Sequence, residues 1–187
     1  MAFCVSMGEV ERARAVAERA LETINYRQQQ EKFNVWVAFI NLENNYGTPP
    51  EEAAMRLFQR ALPYNDGKKL HLAMVGILEK SGRHALAVET LKTACKKYAG
   101  SAKVWLRHIA FAMARGDEAN GRKLLDRALA ALPMRKHVKV ITKTALMEFR
   151  EGSSERGRSL LEALLANHPR RTDLWSVYID QVWVLFQ

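Results

Sequence analysis

Cysteine is nearly missing from the 187 residues: only Cys4 and Cys95 occur, and they form no CxxC pair. No disulfide framework can be built from them, and a reducing compartment is the natural setting. Glycine and proline are scarce, at 10 and 5, which argues against a turn-rich β architecture. No apolar run reaches the roughly 18 residues that span a bilayer. The opening "MAFCVSMGEV" lacks the charged start and apolar stretch of a signal peptide. No membrane partner is therefore expected. The histidines, His71, His84, His108, His137 and His168, form no HExxH and no zinc spacing with either cysteine. A G-x-S-x-G elbow is absent as well. "GSSERGRS" (152–159) comes near a phosphate-binding loop, but Arg158 stands where that loop needs Lys. The preceding "KTALMEFRE" also reads as helix where the motif follows a strand. These absences leave no expected enzyme activity, cofactor, metal or small-molecule substrate.

What is present is a helix former's alphabet. Hydrophobic residues make up 48% of the chain, enough for one domain with a core. Long Ala, Leu, Glu, Arg and Lys segments point to an all-α fold. The formal charge is +9 and unevenly placed. Residues 1–89 hold 11 bases and 11 acids, whereas residues 90–187 hold 18 and 9. Two stretches contain no acid at all, 90–116 and 127–147. Helical surfaces ordinarily mix signs, so these stretches point to a polyanion partner.

A repeat underlies the pattern. "ARAVAERAL" (13–21), "AMRLFQRAL" (54–62), "AVETLKTAC" (87–95), "GRKLLDRAL" (121–129) and "GRSLLEALL" (157–165) resemble one another. Each begins on a small residue: Ala13, Ala54, Ala87, Gly121 and Gly157. Two helical turns later stand Ala20, Ala61, Ala94, Ala128 and Leu164. Such a stripe lets a neighbouring helix approach closely. Apolar-periodic stretches at 31–46, 69–80, 102–115 and 137–150 precede the last four segments. Trp36, Trp105 and Trp175 sit at matching places, in "NVWVAF", "KVWLRH" and "DLWSVY". Breakers such as "SGRH" and "EGSSE" separate the helices. The expectation is a right-handed solenoid of helical hairpins, each burying its apolar face against its neighbours. Its repeat domain covers 9–181, after a short segment 1–8 and before an apolar tail 182–187. The stack reads as open at both ends, with "RTDLWSVYIDQVWVLFQ" a first helix lacking a second.

An aromatic followed by Glu on the first helix, with small residues on the second, is similar to the half-a-tetratricopeptide (HAT) repeat. Trp36 with Glu43 shows it best; Ala112 and Val182 replace the Glu in the other two, and Glu148 stands at a similar place in the fourth hairpin. More specifically, "INYRQQQEKFNVWVAFINLENNYG", "RALPYN", "LLDRALAALPMRKHVKVITKTALMEFREG" and "HPRRTDLWSVYID" resemble the C-terminal HAT module of the ribosomal RNA-processing protein five family. The resemblance covers about residues 9–180. It implies a nucleolar protein that binds precursor ribosomal RNA and assembly proteins, including within the small-subunit processome. It implies no catalytic residues. The family's N-terminal oligonucleotide-binding barrels have no counterpart in this sequence.

The expected RNA contacts are Lys92, Lys96, Lys97, Lys103, Arg107, Arg135, Lys136, Lys139 and Lys143, with Arg170 and Arg171 before the last helix. Lys136, Lys139 and Lys143, spaced i, i+3, i+7, would form one stripe. Trp36, Trp105 and Trp175 read as packing anchors rather than base-stacking platforms. Glu43 reads as a bond to a neighbouring helix or its end, because no second carboxylate or His accompanies it. The competing class is a protein-interaction scaffold of HAT or tetratricopeptide type in another RNA-processing complex, such as splicing or 3′-end formation.

Overall fold

The computed structural model describes residues 2–184, with side chains to residue 181. The side chains of the apolar tail, 182–187, thus lie outside the described residues. The helices are α1 (Ala2–Ser6), α2 (Val10–Thr23), α3 (Gln29–Tyr46), α4 (Pro50–Ala61), α5 (Gly67–Lys80), α6 (His84–Lys97), α7 (Ala102–Met113), α8 (Glu118–Ala131), α9 (His137–Glu151), α10 (Ser154–Asn167) and α11 (Thr172–Val184). Short 3-10 turns cover Leu62–Tyr64 and Met134–Lys136. The fold is all-α, and no strand occurs among the described residues. No described helix is long and apolar enough to cross a membrane.

The chain divides into two compact units, Met1–Leu91 and Lys92–Gln187, with the boundary inside α6. In the first unit α3 packs on α2, on its hairpin partner α4 and on α5. In the second unit α7 pairs with α8 and α9 with α10, while α9 also meets α7 and α11. Within each unit α3, α7 and α9 therefore pack on the next first helix as well as on their own partners, the arrangement of a helical repeat. The net charge of zero belongs to the first unit and the entire excess of +9 to the second.

All five hairpins turn on a glycine that follows a fixed position by four residues: Cys4/Gly8, Glu43/Gly47, Leu78/Gly82, Ala112/Gly116 and Glu148/Gly152. Two solutions alternate with the residue at that position. Where it is uncharged, the glycine takes the left-handed conformation (φ 78°, 73° and 72° at Gly8, Gly82 and Gly116). The next residue's N–H then donates back to the first carbonyl, at 2.9 Å for Glu9 to Cys4, 2.9 Å for Arg83 to Leu78 and 3.0 Å for Asp117 to Ala112. This is the glycine-ended helix stop, in which an orphan carbonyl is satisfied by the turn itself. Where the residue is Glu, the glycine stays at negative φ (−69° at Gly47, −133° at Gly152). The carboxylate folds into the turn instead. A Cβ on Gly152 would stand 2.5 Å from Glu148 Oε2, and one on Gly47 would stand 2.5 Å from the Glu43 carbonyl. Ser153 N–H donates to Glu148 Oε2 at 3.3 Å.

Both carboxylates are held by arginines. Arg14, on α2, donates from Nε to Glu43 Oε1 at 2.6 Å and from a terminal nitrogen to the Tyr46 carbonyl at 3.2 Å. This ties the end of α3 to the preceding helix. Glu148 is only 1% exposed, and its Oε1 lies 3.4 Å from Arg156 Nε on α10. Arg83 fixes the α5–α6 turn by donating to the Asn44 carbonyl at 2.6 Å.

The small-residue stripe is buried: Ala13, Ala54 and Ala87 are fully enclosed, as are Ala61, Ala94 and Ala128, and Gly121 and Gly157 are buried too. Ala20 is only half-buried. The tryptophans divide. Trp36 and Trp105 are 5% and 8% exposed, but Trp175 is 43% exposed and is not an enclosed anchor. Trp105 donates its indole N–H to the Ala99 carbonyl at 2.7 Å, and Trp175 does the same to Pro169 at 3.0 Å. Both thereby staple the start of a first helix to the loop six residues back. Trp36 sits one turn deeper in its longer helix and stacks on Tyr64 instead, with ring centroids 6.0 Å apart and planes 9° from parallel. The sequence pattern aligned three tryptophans that the structure uses in two ways. The near-match to a phosphate loop is also accounted for. Ser153 caps α10 by accepting from the Arg156 N–H at 3.3 Å, and Gly157 lies mid-helix against Phe149.

The stripe yields a test. A Cβ on Gly157 would meet Phe149 Cδ2 at 2.8 Å and the Ala145 carbonyl at 2.9 Å, whereas one on Gly121 would meet the flexible end of Met113, with Cε at 2.9 Å. Alanine adds up to about 1 kcal/mol of helix propensity at either site. Overpacking against a ring and a carbonyl costs about 1–3 kcal/mol, but a thioether swings aside. Urea denaturation should show Gly157→Ala clearly destabilised and Gly121→Ala close to neutral.

Candidate nucleic-acid interface

The acid-free stretches fall on α6, α7, α8 and α9, and the structure sorts their bases. Lys92, Lys96 and Lys97 occupy the last turns of α6, and all are exposed. Lys97 lies over the Tyr98 ring, 5.7 Å from its centroid. On α7, Lys103 is exposed and Arg107 half-buried. Arg170 and Arg171 are exposed in the turn before α11.

Only part of this set converges. Arg135, Lys139 and Lys143 line one wall of a groove of about 370 Å³, and Arg171 lines the other, between α9 and α11. Val138, Thr142, Leu174 and Val177 line it as well. Lys139 and Lys143 are one helical turn apart, about 6 Å along the axis. Neither they nor Arg135 has an ion-pair partner among the described residues. The one acid in the lining, Asp173, is engaged by Arg171 at 3.1 and 2.5 Å. That guanidinium holds the Asp173 carboxyl below the usual carboxylate range, while Asp173 raises Arg171.

Lys136 does not join the groove. Its ammonium donates to the Gly100 carbonyl at 2.5 Å. The expected stripe of Lys136, Lys139 and Lys143 is thus corrected to Arg135, Lys139 and Lys143. Residues 134–136 form a 3-10 turn, which advances about 120° per residue rather than 100°. A helical count through that turn puts the wrong side chain on the face.

One arrangement was invisible to residue spacing. Buried Cys95, on α6, places Sγ 3.6 Å from Nδ1 of buried His108 on α7. On paper this is a thiol–imidazole pair, but its environment keeps both groups neutral. Burial pushes the Cys95 thiol up to about 12. Burial, with the nearby charges of Lys92 and Arg127, pushes His108 down to about 4. A nucleophilic pair needs the opposite shifts, so this one is a packing contact. Among the described residues no group of three or more His, Cys, Asp or Glu is placed to hold a metal ion.

Fold and groove define a helical-hairpin repeat protein with a neutral unit and a basic unit. No family model matches the chain. It is 48% identical to the rRNA biogenesis protein RRP5 of Arabidopsis thaliana over 181 residues, 97% of this chain. It is 44% identical to the Protein RRP5 homolog of Homo sapiens over 96% of the chain, and 40% identical to rRNA biogenesis protein rrp5 of Schizosaccharomyces pombe over the same share. The chain belongs to the RRP5 family, and it matches the C-terminal part of those much longer proteins. It spans only 9–10% of the length of these curated relatives.

The buried imidazole sets a pH dependence. Its value of about 4 in the folded state lies below the roughly 6.5 of an unfolded histidine. Between those values the unfolded chain binds the extra proton. The stabilisation is complete above about pH 6.5 and is lost as pH falls toward 4, by about 3 kcal/mol at the limit. Denaturation midpoints measured at pH 7 and pH 4.5 should fall further apart in the parent than in His108→Gln.

Proposed function

We propose that the chain is a holding module for ribosome biogenesis, gripping precursor ribosomal RNA through the α9–α11 groove while assembly proteins dock elsewhere on the repeat. The relatives carry rRNA biogenesis in their names, and a role in rRNA processing is the coarse reading for this chain. The finer reading is a nucleolar component of the small-subunit processome. One observation carries the RNA contact: Arg135, Lys139 and Lys143 converge in one groove without ion-pair partners, inside a stretch of 21 residues that has no acid. Unpaired, exposed bases on a rigid helix neutralise phosphates without reading bases. The half-buried Val138 and Val177 in the lining give a sugar or base face somewhere to rest. Arg171 contributes less, because Asp173 already neutralises it. No step of chemistry is involved; affinity comes from charge and from preorganisation of the helices.

The test is a salt series with the purified chain, a precursor rRNA spacer fragment and an unrelated RNA of equal length. Each single-strand phosphate contact contributes about 0.7 to the slope of log affinity against log salt. The triple variant Arg135→Ala/Lys139→Ala/Lys143→Ala should lower that slope by about 2, whereas Lys136→Ala should leave it nearly unchanged. An unaltered slope in the triple variant would sink the groove as the RNA surface. Tighter binding of the spacer than of the control RNA would add specificity to the reading.

A further inference from the structure

The first unit has a groove in the corresponding place, between first helices α3 and α5, and its chemistry is different. Asn34, Val37, Ala38 and Asn41 face it from α3, with Phe33 at one end. Ala73, Gly76, Ile77 and Lys80 face it from α5. Both helices thus present an i, i+3, i+4, i+7 face, and the enclosed volume is about 390 Å³. No acid lines it, and Lys80 is its single charge.

Three details point to an occupant. Gly76 lies mid-helix, where glycine is unfavourable, yet a Cβ there would meet nothing within 4 Å. Its smallness serves no packing inside the chain, but it lowers the groove floor for something that lies across it. Asn41 makes no hydrogen bond among the described residues, and Asn34 uses only its carbonyl oxygen, accepting from Gln30 at 3.0 Å. Each therefore has donor capacity left, and Asn41 has acceptor capacity too. The two amides stand seven residues apart, about 10.5 Å along a helix, which matches three residues of extended chain at roughly 3.4 Å each. The lone cation, exposed Lys80, has no partner among the described residues and stands at the same end as Asn41.

We propose that the α3–α5 groove holds an extended peptide. Asn34 and Asn41 clasp its main chain, Phe33, Val37 and Ile77 hold an apolar side chain over Gly76, and Lys80 pairs with a carboxylate. The occupant is a protein rather than RNA, because a phosphate chain needs several cations and this groove has one. The proposal is independent of the RNA reading, which concerns the other unit.

The experiment uses the full chain and a phage-displayed hexapeptide library, followed by fluorescence anisotropy on the selected peptides. Selection should return peptides with a large apolar residue and an acid, or a free C-terminal carboxylate, within three residues of it. Gly76→Ala is the decisive variant. Filling open space in a helix should raise the melting temperature by about 2 °C, so misfolding cannot explain a loss of affinity. It should weaken the selected peptides at least about tenfold, Asn41→Ala should weaken them as well, and Lys80→Gln should weaken carboxylate peptides more than their amide counterparts. Spacer RNA binding should stay as in the parent for all three variants. Failure to select any peptide, or selected peptides indifferent to Gly76→Ala, would overturn the proposal. Loss of RNA binding in these variants would instead assign the groove to nucleic acid.

Discussion

Each hairpin depends on what happens at the carbonyl four residues before a glycine. A helix that stops inside a packed repeat leaves carbonyls without partners, and the next helix must start within a few residues. With Cys4, Leu78 or Ala112 at the key position, the main chain closes the turn alone, and only glycine tolerates the conformation. With Glu43 or Glu148, a carboxylate occupies the turn, and glycine is needed for space instead. The Glu of the resembled repeat pattern is therefore structural: it lies against the turn glycine and recruits Arg14 or Arg156, and at Glu148 its carboxylate also accepts the Ser153 N–H. Its loss at Ala112 needs no compensation elsewhere, because Gly116 supplies the other solution.

From those turns follows the pairing of helices, and from the pairing follows the chemistry of the faces. The small stripe on the second helices allows close approach, so the first helices pack on each other and leave shallow grooves between them. Two such grooves share a scaffold and differ in lining. In the neutral unit the α3–α5 groove carries amides, apolar side chains and one lysine. In the basic unit the α9–α11 groove carries Arg135, Lys139 and Lys143 over an apolar floor. A repeat fold separates the two roles easily, since the polar side chains that distinguish the faces (Asn34, Asn41 and Lys80 in one, Arg135, Lys139 and Lys143 in the other) are all exposed.

Much of this was legible in one dimension. The positions of Ala54, Ala87, Gly121 and Gly157 mark the second helices, because a buried stripe must be small wherever helices touch. The glycine and proline breakers place the turns to within two residues. The charge boundary near Glu89 coincides with the division between the units. The acid-free stretches contain the groove bases, yet they also contain Lys92, Lys96 and Lys97, which line no such groove.

The sequence by itself determined the helices, their pairing into repeats and the side of the chain that carries charge, because periodicity, breakers and composition act locally. Only the tertiary structure decided which side chains meet. It turned Arg135 into the groove and Lys136 out to Gly100, since a 3-10 turn shifts the phase of a helical count. It set Cys95 beside His108 and made both neutral, since burial is a property of the packed whole. It left Trp175 exposed where Trp105 is enclosed, although both make the same indole bond, because enclosure is set by the surrounding helices rather than by the residue's own loop.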